Sequence, residues 1–449
     1  MTRRPRHRNL VLGGITAVVV LLAAMVFWPR PAAPASSGIT DLTLTGFLTR
    51  PIPDAAPNAD QLRRGQALVI AGDCLSCHAR AAGAPFAGGL GLNTPFGTIF
   101  STNITPDART GIGGWDGDKF YRAMHDGVGR SGNLYPAMPY PQLSRLARAD
   151  DDAILAYLKT LPAVDYRAPH NRLPFPMNLR VMVKGWNLLF FRPASFQADP
   201  SQSAEWNHGA FLVTGPGHCG ACHTPKNALG ADRPGRDFRG GDLDDWVAPD
   251  LTANSRTGLG GWNIDDIVEF LKTGRNAHAS AGGSMADVVT YSTSLMSDRD
   301  RRAMAIYLKS LPASPDASPR SPDPGAMRRG AAIYSDACAS CHLEGGTGQS
   351  RAFPPLGGDA TLQQADATGL EHLILAGARV GPTAPRPSPL TMPSFAWKLT
   401  DREIADVGTY VRNSWGNRAA PLSAGAVTDL RHKLHLGKPR LTPNSGDQD

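Results

Sequence analysis

The sequence has no cysteine outside three short motifs. Its six cysteines all lie in C-x-x-C-H pentapeptides, at residues 74–78, 219–223 and 338–342. None is left for a disulfide framework, which is the usual use of cysteine in exported proteins. The cysteines therefore have another function.

The sequence also lacks a basic stripe of the kind that binds nucleic acid. The formal charge is +7, but Arg3, Arg4, Arg6 and Arg8 supply much of the excess, and no comparable cluster follows. We therefore expect no nucleic-acid partner. Hydrophobic residues make up 41% of the chain, so bulk disorder is not indicated, and 449 residues predict roughly two to four domains.

One long apolar run occurs at the N-terminus. A cationic flank precedes Leu10–Trp28, which is apolar or Gly/Thr throughout. This run is close to the ~20 residues that span a bilayer and longer than the core of a signal peptide. It predicts a single N-terminal membrane anchor with the cationic flank in the cytoplasm and the rest of the chain exported, which in a bacterium means the inner membrane and its periplasmic side. A cleaved signal is the alternative.

Three copies of one pattern follow this run. A helical stretch with a glycine (Gly65, Gly209, Gly330) precedes each cysteine motif, and a later amphipathic helix carries a tyrosine (Tyr157, Tyr307, Tyr410). We interpret each copy as a small helical domain in which the glycine admits the tyrosine of the crossing helix. Ser297 and Thr400 fit the N-cap position of the later helix in the second and third copies.

The C-x-x-C-H motif alone allows three chemistries. C-x-x-C is typical of thiol–disulfide exchangers, cysteines with histidines bind zinc, and C-x-x-C-H attaches haem covalently. Exchange does not need the histidine, and a structural zinc site needs four ligands, whereas these motifs stand more than a hundred residues apart. Three registered copies therefore predict three haem c groups, attached to Cys74, Cys77, Cys219, Cys222, Cys338 and Cys341, with His78, His223 and His342 as proximal iron ligands.

Methionines at similar distances after the motifs are candidates for the sixth iron ligand. Met138 follows His78 by 60 residues, Met285 follows His223 by 62, and Met392 follows His342 by 50. A methionine ligand closes the iron site and raises its potential, which suits electron transfer.

Two alternatives to this assignment stay open in the sequence. Met296 competes with Met285, although its place directly before Ser297 favours a contact that staples the following helix. His125, His278 and His372 could replace methionine. His218, beside Cys219, is expected near the haem edge with no required role.

From about Asn58 to Gly416 the chain resembles the three-haem cytochrome c subunits of bacterial membrane-bound dehydrogenases that oxidise alcohols, aldehydes, sorbitol or gluconate. The stretches "TPFGTIFSTNITPD" (94–107), "GWNLLFF" (185–191), "SMADVV" (284–289) and "MPSFAWKLTD" (392–401) carry the resemblance together with the motifs. It supports Met138, Met285 and Met392 as ligands.

The resemblance implies a subunit that does not oxidise the substrate. It would accept electrons from a catalytic dehydrogenase subunit of the flavin, quinone or molybdenum type and pass them to ubiquinone in the membrane or to the respiratory chain. A haem enzyme with one open iron, and a free periplasmic electron shuttle, are the alternatives.

We therefore predict an all-α fold of three tandem class I-like cytochrome c domains after an N-terminal transmembrane or signal helix. The expected boundaries are a membrane segment (1–30), a linker (31–57), the first domain (58–163), an apolar connector (164–204), the second domain (205–312), a Pro-rich linker (313–325), the third domain (326–416) and a polar tail (417–449).

The connector contains an unusual apolar stretch at 172–193. It is too charged to span a membrane, yet more apolar than a linker needs to be. The favoured interpretation is that it packs the first two domains together. The alternative is an interfacial helix that contacts quinone or a partner.

Overall fold

The computed structural model describes residues 43–243, 245–316, 321–437 and 439. Most of the regular structure is helical. In chain order the α-helices are α1 (Thr43–Leu48), α2 (Ala59–Ala71), α3 (Cys74–His78), α4 (Gly117–His125), α5 (Tyr140–Leu143), α6 (Arg148–Leu158), α7 (Arg180–Phe190), α8 (Ala204–Thr214), α9 (Gly220–His223), α10 (Ile264–Thr273), α11 (Ser284–Tyr291), α12 (Asp298–Ser310), α13 (Pro324–Ala337), α14 (Ala339–His342), α15 (Thr368–Ala376), α16 (Asp401–Val411) and α17 (Ala424–Lys433).

Short antiparallel hairpins accompany these helices, so the all-α expectation needs correction. The strands are β1 (Gly91–Thr94) with β2 (Gly97–Phe100), β3 (Val128–Gly129) with β4 (Gly132–Asn133), β5 (Arg239–Leu243) with β6 (Trp246–Asp250), and β7 (Ala378–Arg379) with β8 (Thr391–Met392). Each hairpin consists of two strands and is not extended into a larger sheet among the described residues.

Three helix pairs cross at a glycine, as predicted, but the predicted tyrosine is among the atoms nearest to the glycine only at Gly65 (Tyr157) and Gly330 (Tyr410). A Cβ atom placed on Gly65 of α2 would lie 2.0 Å from the Ala153 carbonyl oxygen of α6. A Cβ atom on Gly209 of α8 would lie 1.9 Å from the Ala303 carbonyl oxygen of α12. A Cβ atom on Gly330 of α13 would lie 2.2 Å from the Asp406 carbonyl oxygen of α16. No side chain fits at these distances.

Side-chain caps fix where the later helices begin. The Ser297 hydroxyl accepts a hydrogen bond from the Asp300 N–H at the start of α12. Thr400 and Glu403 form a complete capping box at the start of α16. Both predicted N-caps are therefore confirmed, because each satisfies an N–H group that the helix itself leaves unpaired.

The buried apolar residues form two cores. The first extends in sequence from Leu48 to Leu308, so the helices around the first two cysteine motifs share it. The second extends from Tyr334 to Leu430 and surrounds the third motif.

Helices also occur in the segments that we predict as linker, connector and tail. Helix α1 buries Leu48 in the first core, and α17 buries Val427 in the second. Helix α7 lies in the apolar connector, where only one of its side chains, Val183, is fully buried. The ordered packing therefore includes part of each segment.

The predicted single membrane anchor is corrected. Among the residues that the structure describes, no helix combines the length and the apolar character needed to cross a membrane. The predicted span, Leu10–Trp28, lies outside those residues.

Candidate haem-binding sites

Each C-x-x-C-H motif forms one helical turn directly after a longer helix. Helix α3 follows α2, α9 follows α8, and α14 follows α13. Within such a turn, residues three apart lie on the same side, so the two cysteine side chains of a motif share a face. This is the arrangement that attachment to two vinyl groups of one haem requires.

The three motif histidines make one common contact. The Nδ1 atom of His78 lies 2.7 Å from the Thr102 carbonyl oxygen, that of His223 lies 2.7 Å from the Pro249 oxygen, and that of His342 lies 3.0 Å from the Pro354 oxygen. A ring that donates from Nδ1 carries its lone pair on Nε2. Each histidine is therefore oriented as a metal ligand through Nε2.

Hairpins supply two of the three carbonyl partners. Strand β2 leads into Thr102, and Pro249 lies within β6. These partners are 24 and 26 residues from their histidines in sequence, so the hairpins bring them into contact.

The protonation states fit haem ligation. Burial lowers the pKa of His78, His223 and His342, against the opposing effect of their carbonyl contacts. All three are therefore neutral at pH 7, and a neutral imidazole is the form that binds iron. The donor set that this chain presents thus fits covalent haem.

The same environment does not suit thiol exchange. Burial raises the pKa of Cys74 and Cys219 to about 12 and that of Cys338 to about 11. Exchange requires a thiolate, which forms readily only when the cysteine pKa is lowered. No disulfide joins the six cysteines, all of which lie within the described residues.

The zinc interpretation gains no support either. Among the described residues, no group of three or more histidine, cysteine, aspartate or glutamate side chains is arranged to hold a metal ion.

The predicted methionine ligands lie at the edges of the two cores. Met138, between β4 and α5, and Met285, in the first turn of α11, are half-buried against the first core, as are Cys74 and Cys219. Met392, in β8, is half-buried against the second core, as is Cys338.

Met296 is held differently from Met285. Its side chain is 9% exposed within the first core. The Arg301 guanidinium donates to the backbone carbonyl oxygens of Thr293 and Met296, and so ties the residues before α12 to the helix. Arg301 occupies the position where a hydrophobic staple would place an apolar residue, so the predicted contact is replaced by a polar one.

The other candidate histidines have partners of their own. His125 stacks on Tyr121, and its Nδ1 lies 2.8 Å from Asp126 Oδ1. His278 stacks on Trp262, and its Nε2 lies 3.1 Å from Asp266 Oδ2.

His372 is similarly engaged. Its ring stacks on Trp246 with centroids 4.0 Å apart, and its Nδ1 lies 3.1 Å from the Asp245 carbonyl oxygen.

Sequence reasoning missed the contact between the first two motifs. The Nε2 atom of His218, directly before Cys219, lies 3.2 Å from the Gly72 carbonyl oxygen, directly before Asp73 and Cys74. Ser292 donates to the neighbouring Ala71 oxygen at 3.4 Å. His218 therefore has a structural role where we expected none. The sequence carries no signal for it, because the third copy has Ala337 at this position.

Two carboxyl groups near this contact, of buried Asp73 and half-buried Asp287, were also missed. Burial raises the pKa of Asp73 well above its usual value, although Ser76 donates to it at 2.5 Å. Burial also raises the pKa of Asp287, on α11, to about 7. Both groups lie near Cys77, since their charges contribute to the raised pKa of that thiol.

Comparison with known proteins agrees with this site chemistry. The family model described as cytochrome c matches residues 327–415. The cytochrome c subunit of the quinone alcohol dehydrogenase of Gluconobacter oxydans (strain 621H) is 41% identical over 84% of this chain and 84% of its own length. The gluconate 2-dehydrogenase cytochrome c subunit of Pantoea cypripedii is 40% identical over 84% of this chain and 91% of its own length.

A third relative is the fructose dehydrogenase cytochrome subunit of Gluconobacter japonicus. It is 35% identical over 85% of this chain and 85% of its own length. Sequence identity at this level, over most of both chains, together with the geometry of the motif histidines, shows that this chain belongs to the family of dehydrogenase cytochrome c subunits.

Proposed function

We propose that this chain is a three-haem electron-transfer subunit that carries electrons from a catalytic dehydrogenase subunit to ubiquinone. One observation carries the proposal: three C-x-x-C-H turns each present a neutral histidine whose Nδ1 lies against a backbone carbonyl oxygen. When bound, haem supplies an iron that exchanges one electron between its ferric and ferrous states.

The proposed domains follow the three helix crossings. Residues 58–163, 205–312 and 326–416 each contain one motif, one glycine crossing and at least one candidate methionine. In each domain the two cysteines would hold the cofactor covalently, and the histidine together with Met138, Met285 or Met392 would bind its iron.

The half-buried position of Met285 supports its assignment over Met296. A sixth ligand has to reach an iron next to the cysteine turn, whereas a fully packed side chain such as Met296 is already enclosed by protein. The polar partners of His125, His278 and His372 likewise favour methionine ligation.

The chain itself is proposed to be non-catalytic. Methionine closes the sixth position, so a substrate has no open iron to bind. The protein orients the cofactors, excludes water and tunes the iron through its axial ligands. The first two sites adjoin, since His218 and Ser292 contact the turn before Cys74.

Purified full-length protein tests the proposal directly. Intact-mass spectrometry is expected to count three covalent haem groups, and each cysteine pair changed to serine is expected to remove one. The enzyme that co-purifies with the chain should reduce these haems when given its substrate, and a soluble ubiquinone analogue should reoxidise them.

Two results would contradict it. A count below three overturns the domain assignment. Ready binding of cyanide or carbon monoxide to one haem of the unmodified protein overturns the non-catalytic role and favours a haem enzyme.

A further inference from the structure

Helix α7 presents a continuous apolar surface to solvent. Val181, Leu188 and Leu189 are 66%, 73% and 67% exposed. At 100° per residue, these side chains and Met182 fall within one third of the helix circumference. Phe175 and Leu179, just before the helix, are exposed as well. We call these six residues the apolar face.

The opposite side of α7 is already packed. Val183 is buried, and the Tyr140 hydroxyl donates to Asn187 Oδ1 at 2.6 Å. Trp186 Nε1 donates to the Leu229 carbonyl oxygen at 2.9 Å. These contacts fix the rotation of the helix and hold it between the first and second motif regions. The apolar face is therefore directed outward by the fold.

Cations accompany the apolar face. Lys184 and Arg192 are exposed, and Arg180 is half-buried. Arg180 donates to the Asn133 carbonyl oxygen and Arg192 to the Leu188 carbonyl oxygen, at 2.6 and 2.9 Å. Within the part of the chain that the structure describes, none of the three forms an ion pair with a carboxylate.

One acid lies close to these cations. Asp126 lines the same shallow hollow as Lys184, Leu188 and Arg192. Its carboxylate contacts His125 Nδ1 at 2.8 Å. The lining of this hollow, with Lys184 and Arg192 against Asp126, therefore carries a net positive charge.

We propose that the apolar face of α7 lies on an anionic phospholipid surface. Aliphatic side chains that insert at the headgroup boundary, next to lysine and arginine, are the pattern of interfacial helices. Eleven residues give a helix of about 16 Å, far shorter than the ~20 residues that span a bilayer. The helix thus lies along the surface. This proposal is independent of the electron-transfer role.

A fluorescent probe on the helix tests the contact. In the full-length haem protein the six native cysteines are joined to haem, so L188C supplies an accessible thiol for an environment-sensitive dye. Vesicles of phosphatidylcholine with phosphatidylglycerol are expected to shift its emission to the blue. The same dye at W397C, on an exposed residue of the second core, is expected not to respond.

Charge and apolar contributions are measured separately. K184Q is expected to reduce the probe response at a fixed lipid concentration roughly fivefold. V181S combined with L189S is expected to reduce it about tenfold or more. K119Q, which removes a surface lysine of α4, is the matched control and should leave it unchanged. Unaltered haem absorption and far-ultraviolet circular dichroism show that each variant is folded.

Three results overturn the proposal. If the dye at residue 188 keeps its solvent-like emission while the protein floats with the vesicles, another segment binds the membrane. Equal shifts at 188 and 397 indicate unspecific adsorption. A shift that requires the dehydrogenase partner, and not lipid, identifies the face as a protein interface.

Discussion

Met285 and Met296 lie eleven residues apart and are held in opposite ways. Met285 is half-buried at the edge of the first core, whereas Met296 is 9% exposed and anchored through its carbonyl group to Arg301. This difference supports the proposed assignment of Met285 as a ligand and Met296 as a packed side chain. Truncating each methionine side chain to alanine in turn tests the assignment.

We expect Met285→Ala to open the second iron and Met296→Ala to destabilise the fold. The first variant should bind carbon monoxide at one haem, because its sixth position is vacated. The second should keep the native spectrum and lose about 2–5 kcal/mol of unfolding free energy, the usual cost of a methionine-sized cavity. Optical titration and denaturant unfolding provide the two measurements.

Met304→Ala is the control for packing alone, since Met304 is 2% exposed in α12. It should resemble Met296→Ala in both measurements. Carbon monoxide binding in the Met296 variant, with a native spectrum in the Met285 variant, would reverse the ligand assignment.

Asp151 in α6 makes stability depend on pH. It is 1% exposed, and neither carboxylate oxygen has a hydrogen-bond partner among the described residues. Burial, reinforced by Asp150 and Asp152, raises its pKa from 3.8 to about 8. The unfolded chain therefore releases this proton at lower pH than the folded chain does. Stability is lost as pH rises from about 4 to about 8.

We expect Asp151→Asn to flatten this pH dependence. The native protein should lose up to about 1.4 kcal/mol of unfolding free energy per pH unit over that window, and the variant much less. Denaturant unfolding at pH 5 and pH 8 measures the difference. Asp118→Asn, which removes an exposed carboxylate that also pairs with Arg148, is the control. Parallel pH profiles for the native protein and the Asp151 variant would be inconsistent with this account.

At the scale of elements, the glycine crossings set the distance between the long helices. A Cβ on Gly209 would lie 1.9 Å from the Ala303 carbonyl oxygen, and both atoms belong to helical backbones that cannot rotate away. Any side chain there has to push α8 and α12 apart. The motif turn α9 follows α8 within a few residues, so the haem site would move with it.

We expect Gly209→Ala to destabilise the fold by about 1–3 kcal/mol or more, as overpacking generally does. Gly425→Ala is the matched control, because a Cβ at this helical glycine of α17 meets no atom within 4 Å. That change should stabilise the fold by less than about 1 kcal/mol, since alanine loses less backbone entropy on folding than glycine does. Urea unfolding followed by circular dichroism compares them. Similar effects at both glycines would show that helix propensity, and not the helix crossing, determines how the substitution changes stability.

The sequence predicts the elements that repeat along the chain better than the contacts between them. The glycine crossings and the N-caps follow from local patterns that recur, and the structure confirms them. The carbonyl oxygens of Thr102 and Pro249 could not be predicted, because any backbone has such a group and only hairpin geometry selects one. The outward direction of α7 likewise depends on Tyr140, 47 residues from Asn187.

At the scale of the whole molecule, the first core belongs to two cysteine motifs and the second core to one. Polar contacts join the cores. Gln364 donates to the Thr257 carbonyl oxygen at 2.6 Å, and His372 stacks on Trp246. Glu269 of α10 accepts from Arg351 at 2.5 Å and from Arg386 at 2.7 Å. The region around the third cysteine motif is therefore attached by specific hydrogen bonds and charges rather than by a shared apolar interior.

We expect Glu269→Gln to weaken this attachment at neutral pH and to have little effect in acid. Burial of Glu269 opposes ionisation, but Arg351 and Arg386 outweigh it, so its pKa is lowered from 4.5. The stabilisation is thus present above pH 4.5 and is lost as pH falls through the lowered value. The free energy of unfolding of the variant should be about 1 kcal/mol lower at pH 7, because these side chains are only partly exposed.

Hydrogen exchange of α15 and α16, compared with that of α8 and α12, measures this effect where it should occur. Exchange in the second core should accelerate about fivefold at pH 7 in the variant, while the first core keeps its native rates. Glu205→Gln is the control, because its ion pair with Arg302 joins α8 to α12 within the first core. Equal acceleration in both cores would show that the two cores unfold as one cooperative unit, which would contradict their separate stability.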